Sequence, residues 1–311
     1  MATWRKLTQE DEIPSFIDAA ANLHQPLLDR IPRDERPFFF DAWLTRFNHC
    51  DAWRLPTSVG GPALVTVPRV ADRHEYRWQV RTLAVGAAAE DTLVLPPEVG
   101  VDRSFLMPCP SGQPTSRSVL AEMTATPVQL GLVVRLDDVA VPAPVDWRLH
   151  ESSEQDMAGI LTLLERAYPW LEETASRPPI GTSARFTTDT PDLHRQREEL
   201  RQLVSHDAGW CFHATIDDDA TPVAMASYLA LPLPLLGVPA VLTADLAVDP
   251  PYRGRGLART LQQFACTRLQ RSGVRWLHGN IDPDNIASRR QAEGMGRTVW
   301  WETVRFAAVD G

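Results

Sequence analysis

Lysine is almost missing: Lys6 is the only one in 311 residues. Every other basic residue except histidine is arginine. A Walker phosphate loop needs Gly-Lys-Ser/Thr, so that class is excluded. Cysteine is scarce too. Cys50, Cys109, Cys211 and Cys266 are dispersed, with no CxxC spacing. That excludes a zinc-ligand pattern and a disulfide framework, and points to a reducing cytoplasm. Each cysteine reads best as a small buried hydrophobe. No apolar run approaches the roughly 18 residues of a membrane span, and Met1–Glu12 is polar. Neither a transmembrane helix nor a signal peptide is expected. Positive charge is in deficit: the formal net charge is −9. That argues against a nucleic-acid partner and suits a cationic or amine ligand.

What is present is a chain rich enough in apolar residues, at 44%, to build a full core. Its length suggests one large or two ordinary domains. The most informative stretch runs from Val241 to Ser272. Val241, Leu242, Leu246 and Val248 fit a buried strand. Asp249-Pro250-Pro251 ends it, because proline lacks the ladder N–H. Arg253-Gly254-Arg255-Gly256-Leu257-Ala258 then opens a helix. Leu257, Leu261, Phe264, Ala265 and Leu269 share one face of it, and Gly273 is placed to close it.

A strand that feeds a glycine loop at a helix start is an anion cradle. First-turn amides converge on one point, and the helix dipole favours negative charge there. The expected ligand piece is a phosphate or pyrophosphate. A dinucleotide fingerprint fails, since its third small position is Arg259 and no acid follows about 20 residues on. The run Val248-Asp249-Pro250-x-x-Arg253-Gly254-x-Gly256-x-Ala258 instead resembles the acyl-CoA-binding signature of the GNAT N-acyltransferase superfamily.

That resemblance implies a mixed α/β fold and acetyl-CoA as cosubstrate, with no metal. It implies a CoA-binding set of Leu246, Ala247, Val248, Arg253, Gly254, Arg255, Gly256, Leu257, Ala258 and Arg259. The Val248 N–H would face the thioester oxygen. The next strand is expected at Val274–Leu277. Asp282-Pro283 is expected to cap a helix over Asp284–Glu293. On it Asn285 and Ser288 match the family's Asn-x-x-Ala/Ser, and by resemblance join the CoA set. Family members commonly carry Tyr seven residues after that Asn, as a proton donor to the leaving thiolate. Here the position is Ala292, and Gly296-Arg297 stands where Gly-Phe would.

The activity implied is acyl transfer from a thioester to an amine of a small molecule or peptide, by direct attack. An alkylamine has a pKa near 10.4, so a base must take a proton. Asp245 is the candidate, or else a strand carboxylate paired with arginine; His278, placed just past the next strand, is a weaker one. Tyr168 and Trp170, between the first two helices of this half, could line the acceptor site or simply pack. The rival reading is a non-catalytic acyl-CoA-binding regulatory or structural protein. A cytoplasmic monomer or homodimer is expected.

The first half echoes the second. Trp4-Arg5-x-Leu7 matches Trp147-Arg148-Leu149. His49-Cys50-Asp51-Ala52-Trp53 resembles His206-Asp207-Ala208-Gly209-Trp210, and Leu83-Ala84-Val85 matches Leu246-Ala247-Val248. The order is kept, which suggests an old duplication. Residues 1–136 then form a degenerate GNAT-like supporting domain without a glycine loop. Residues 137–146 form a Pro/Val-rich linker, and 147–311 the catalytic domain. A helix is expected over Ile13–Leu28 and another over Pro37–Phe47.

Overall fold

A computed structural model describes residues 5–7, 12–55, 63–68, 82–84, 105–111, 123–142, 146–167, 209–216 and 220–308. The chain divides into two compact units. The first comprises residues 1–131, 233–238 and 299–311; the second comprises 132–232 and 239–298.

In the first unit the strand β1 (Arg5–Lys6) precedes the helices α1 (Ile13–Leu23), α2 (Gln25–Leu28) and α3 (Pro37–His49). The single helix expected over Ile13–Leu28 is broken at His24. Pro26 has no N–H to carry the ladder through, so the chain restarts with proline in the first turn of α2. His24, Phe16, Phe39 and Trp43 are all buried. Phe16 and Trp43 ring centroids lie 6.0 Å apart, and Phe39 and Trp43 5.8 Å apart. Strands β2 (Cys50–Leu55), β3 (Ala63–Pro68) and β4 (Thr82–Ala84) follow. With β1 they form a sheet of order β1-β2-β3-β4, antiparallel throughout. Strand β5 (Phe105–Pro110) pairs with the last strand of the chain, Thr298–Ala308.

The second unit takes the end of β6 (Met123–Arg135) and then β7 (Trp147–Glu151), α4 (Met157–Ala167), β8 (Gly209–Ile216), β9 (Ala224–Ala230) and β10 (Val241–Val248). Helix α5 (Leu257–Arg271), β11 (Trp276–Ile281), α6 (Ile286–Gly294) and the start of β12 (Thr298–Ala308) complete it. Its strands run in the order β6-β11-β10-β9-β8-β7. The pairs β7–β8, β8–β9 and β9–β10 are antiparallel, and β10–β11 is parallel.

Both faces of this sheet are covered, which explains its near-continuous apolar strands. On one face α5 lays Leu257, Leu261, Ala265 and Leu269 over Phe212, Ala224, Tyr228 and Val241. These are the helix positions expected from the apolar spacing; Phe264 packs beside them, partly buried. On the other face α4 lays Ile160, Leu163 and Leu164 over Cys211, Met225, Ala244 and Ala247. Helix α5 ends as expected: Gly273 has φ +85°, Gly273 N donates to Gln270 O and Val274 N to Leu269 O. That is a Schellman closure.

The repeat suggested by sequence is visible as topology. In each unit a first strand, one or more helices and three further strands follow in chain order, and the strands pair as a meander. Trp53 on β2 and Trp210 on β8 stand in corresponding strands, as do Leu83 on β4 and Leu246 on β10.

Candidate active site

The site is built where β10 leaves β11. The two parallel strands are in register at Val241↔Leu277 and Leu242↔His278 only. Beyond that point β10 continues to Val248 and β11 to Ile281, without further pairing. Parallel strands that part this way open a slot at their carboxyl ends, where open α/β sheets bind ligands. A register shift on the β9 side, between Thr243 and Asp245, puts an extra residue, Ala244, into β10 at the same level. Such a bulge bends the strand and re-aims its side chains.

The glycine loop closes the open end. Asp249 N donates to Val223 O at 2.9 Å, and a single 3-10 turn over Pro250–Tyr252 swings the chain round. Gly254 and Gly256 have φ +74° and +81°, a region only glycine enters freely. A Cβ built on either meets nothing within 4 Å. Backbone conformation, not crowding, calls for glycine, and the space over the loop is open. Gly256 is the N-cap of α5 and no side chain caps that end. The first amide beyond it to reach a backbone carbonyl is Thr260 N, on Gly256 O at 3.1 Å. The amides of Leu257, Ala258 and Arg259 are those a helix leaves unspent. These residues fit a phosphate-bearing group: open approach, free donors, a positive helix end and the exposed arginines Arg255 and Arg259.

Arg253 is used differently from the sequence reading. Its Nε donates to Val248 O at 3.0 Å and its Nη2 to Ala167 O at 2.8 Å. It braces the loop against the end of α4. Asp249 is also braced, by Arg166 of α4 (Nη2 at 2.9 Å, Nε at 3.0 Å). Nothing in the sequence marks Arg166 except its place as the basic residue in the last turn of α4. Arg255 lies over the Tyr252 ring, 5.5 Å from the centroid.

Successive strand amides point to opposite edges. Asp249 N faces β9, so the Val248 N–H faces the other edge, where β11 has already departed. Leu246 is half-buried and packs on the α5 side, while Ala247 is buried on the α4 side. Asp245 stands opposite Ser227 in the ladder, and Ser227 Oγ donates to its Oδ2 at 3.5 Å. Its neighbours Ala244, Ala247 and Met225 pack on α4, so the carboxylate belongs to the α4 face.

Three expectations about the following elements are corrected. Strand β11 lies at Trp276–Ile281, two residues beyond the start expected. His278 is therefore inside the strand and fully buried, with Nε2 3.0 Å from Leu231 O. Burial, and secondarily the charge of Arg297, pushes its pKa down to about 4. Helix α6 is capped by Asn285, not Asp282: Asn285 Oδ1 accepts from Ser288 N at 3.0 Å. Asp282 instead accepts from Asp284 N in the preceding turn, at 2.7 Å. Burial raises the Cys211 thiol to about 12 and the Cys266 thiol to about 11, so neither is a nucleophile at neutral pH. Ala292 is fully buried.

The expectations for Tyr168, Trp170 and His206-Asp207-Ala208 lie outside the described residues. Among the described residues no group of three His, Cys, Asp or Glu could hold a metal ion. Nor is any described helix long and apolar enough to cross a membrane.

Residues 164–296 match the Acetyltransferase (GNAT) family. A mycothiol acetyltransferase of Nocardiopsis dassonvillei is 36% identical over 62 residues, 20% of this chain and 19% of that protein. The chain thus matches only about a fifth of that curated relative's length. Among solved structures, a tandem GNAT protein from the clavulanic acid biosynthesis pathway aligns over 98% of both chains. Its TM-score is 0.50 at 15% identity, a likeness of fold. The fold is accordingly α/β, a GNAT fold in tandem. Members of this family generally use acetyl-CoA.

Proposed function

We propose that residues 147–311 form an N-acetyltransferase domain that moves an acetyl group from acetyl-CoA to an amine of a small molecule or peptide, within a ternary complex. One observation carries the reading: β10 and β11 part after two paired positions, and the uncapped glycine loop opens at the end of the slot. CoA would supply the activated thioester. The amides around Gly254–Arg259 would hold its pyrophosphate, with Arg255 and Arg259 adding charge. The Val248 N–H would face the carbonyl oxygen as it gains negative charge, which a fixed donor in a dry slot stabilises strongly. Asp245, on the α4 face, would take the proton that the attacking amine must lose. Asn285, whose Oδ1 accepts from Ser288 N at the start of α6, would join Ser288 in the CoA-binding set. Residues 1–136 would support this domain without binding CoA, since that half has no Arg-Gly-x-Gly.

Calorimetry with CoA tests the reading. Saturating CoA should also raise the melting temperature by linkage, and Gly256→Glu should abolish both signals. Wild-type protein that gives no heat and an unchanged melting curve ends the proposal.

A further inference from the structure

A guanidinium lies across the point where the two strands separate. Arg297, just past α6, is 4% exposed. Its Nη2 donates to Thr243 Oγ1 at 3.1 Å and to Gln262 Oε1 at 3.3 Å. A Cβ on Gly279 would stand 3.0 Å from its Nη1. Thr243 and Gly279 are the first residues beyond the last ladder pair. Gln262 is itself fixed, because Gln291 Nε2 donates to the same Oε1 at 2.6 Å.

Both acceptors of Arg297 are neutral oxygens. An arginine cannot shed its proton, so among the described residues the slot holds a buried positive charge with no carboxylate bonded to it. Its Nε has no hydrogen-bond partner among the described residues. The same is true of the Tyr228 hydroxyl, which is fully buried. Tyr228 stands directly opposite Thr243 in the β9–β10 ladder, within the field of Arg297. Two unspent donors and one unbalanced cation describe the complement of an oxyanion.

The faces of the sheet say from which side that anion arrives. Tyr228 belongs to the core under α5, whereas Asp245 stands on the face under α4. If Asp245 meets the amine, the acceptor enters on the α4 side. The group that completes Arg297 then enters with the acyl donor. We propose that the slot takes an acyl donor whose acyl group ends in a carboxylate, of the malonyl- or succinyl-CoA class, and that Arg297 and the Tyr228 hydroxyl bind that carboxylate. This rests on the acyltransferase reading and changes its donor from acetyl-CoA to an acyl-CoA with a terminal carboxylate. The amine nitrogen bonds to the thioester carbonyl carbon and the carbon–sulfur bond breaks. The amine proton ends on the CoA thiol through the base, and the distal carboxylate is unchanged.

Calorimetry on the full chain with acetyl-, butyryl-, malonyl- and succinyl-CoA decides it, with butyryl-CoA as the uncharged length control. One of the carboxylated donors should bind at least about tenfold more tightly than both neutral ones, the scale of a charge-assisted pair. Arg297→Met should erase that preference and leave acetyl-CoA affinity unchanged. Should Arg297→Met not fold, Tyr228→Phe gives the same comparison with a smaller loss. Equal affinity for all four donors in wild type overturns the proposal while leaving the acyltransferase reading intact. A preference that survives in both variants overturns the assignment to these residues. No binding of any donor overturns the inference together with the function beneath it.

Discussion

Arg166 on α4 grips Asp249, the residue that ends β10, with Nη2 2.9 Å from Oδ2 and Nε donating to the same oxygen at 3.0 Å. Arg253, four residues on, reaches back to the carbonyl of Ala167. The aspartate and first arginine of the loop are therefore structural ties from the loop to one helix. They set the angle at which the chain leaves the strand, and with it the aim of the amides that follow.

The tie predicts an indirect effect on ligand binding. Arg166→Leu leaves Asp249, only 8% exposed, without its cation. Removing one partner of a buried pair is costly, but here the arginine is about a third exposed, so the loss should be about 1–3 kcal/mol. CoA affinity should fall although Arg166 lies outside the glycine loop. Asp249→Asn should restore part of the stability in the double variant, because it removes the stranded charge. Denaturant melts of the two single variants and the double variant measure this coupling. Additive losses would show that the pair does not cooperate.

The glycine loop predicts a separable cost. Gly256 sits at φ +81°, and a Cβ there touches nothing. Gly256→Ala should therefore destabilise by about 1 kcal/mol, from backbone strain alone. Its effect on CoA binding should be larger than that, since the new methyl stands in the open approach. A melt and a titration on the same sample give both numbers. A large stability loss with unchanged CoA affinity would mean that the space over the loop is not where the ligand lies.

The stretch Val241–Gly273 was largely legible because local rules acted together. A buried apolar strand run, two prolines, two glycines and an apolar helix stripe all point to one strand–loop–helix. The repeat was legible for a similar reason, as Trp53 and Trp210 mark corresponding strands. What stayed hidden depends on distant partners. Nothing near Arg253 in sequence says that Ala167 will accept its Nη2. Nothing near Arg297 says that it will lie buried between Thr243 and Gln262. The ends of α6 and β11 were misplaced because Asp282-Pro283 carries an ordinary cap signal. Asn285, three residues on, carries an equal one, and the ladder with β10 decided between them by drawing His278 into the strand.

His278 makes stability depend on pH. Burial depresses its folded pKa to about 4, from an ordinary value of 6.5. The neutral ring is therefore favoured on folding. Its full contribution is present above about pH 6.5 and drains as pH falls towards 4, where the unfolded chain binds a proton that the folded one refuses. The difference amounts to about 3 kcal/mol at the acid end. His278→Gln should flatten the stability profile across pH 4–6.5, whatever it does to stability at neutral pH. A profile with an unchanged slope would place the acid sensitivity elsewhere.

The last prediction concerns the proton that the amine must lose. Asp245 stands on the α4 face, beside the bulge at Ala244, with Ser227 Oγ 3.5 Å from one carboxylate oxygen. The glycine loop lies at the far end of the strand. Asp245→Asn should therefore keep CoA affinity, read by calorimetry, while turnover falls roughly 100-fold, the usual scale of a general base. The loss should depend on the acceptor. An alkylamine arrives protonated at neutral pH and needs the base, so its rate should suffer most. An amine of low pKa arrives largely neutral and should suffer less. Asparagine keeps the size and one acceptor oxygen, which makes it a cleaner replacement than alanine beside the Ser227 hydroxyl. If Asp245→Asn acetylates an alkylamine at the wild-type rate from pH 6 to 9, the carboxylate is a structural partner in the sheet. His278 cannot then inherit the role, because it is fully buried and its ring is held neutral. The proton would have to leave through water or through a group on the acceptor itself.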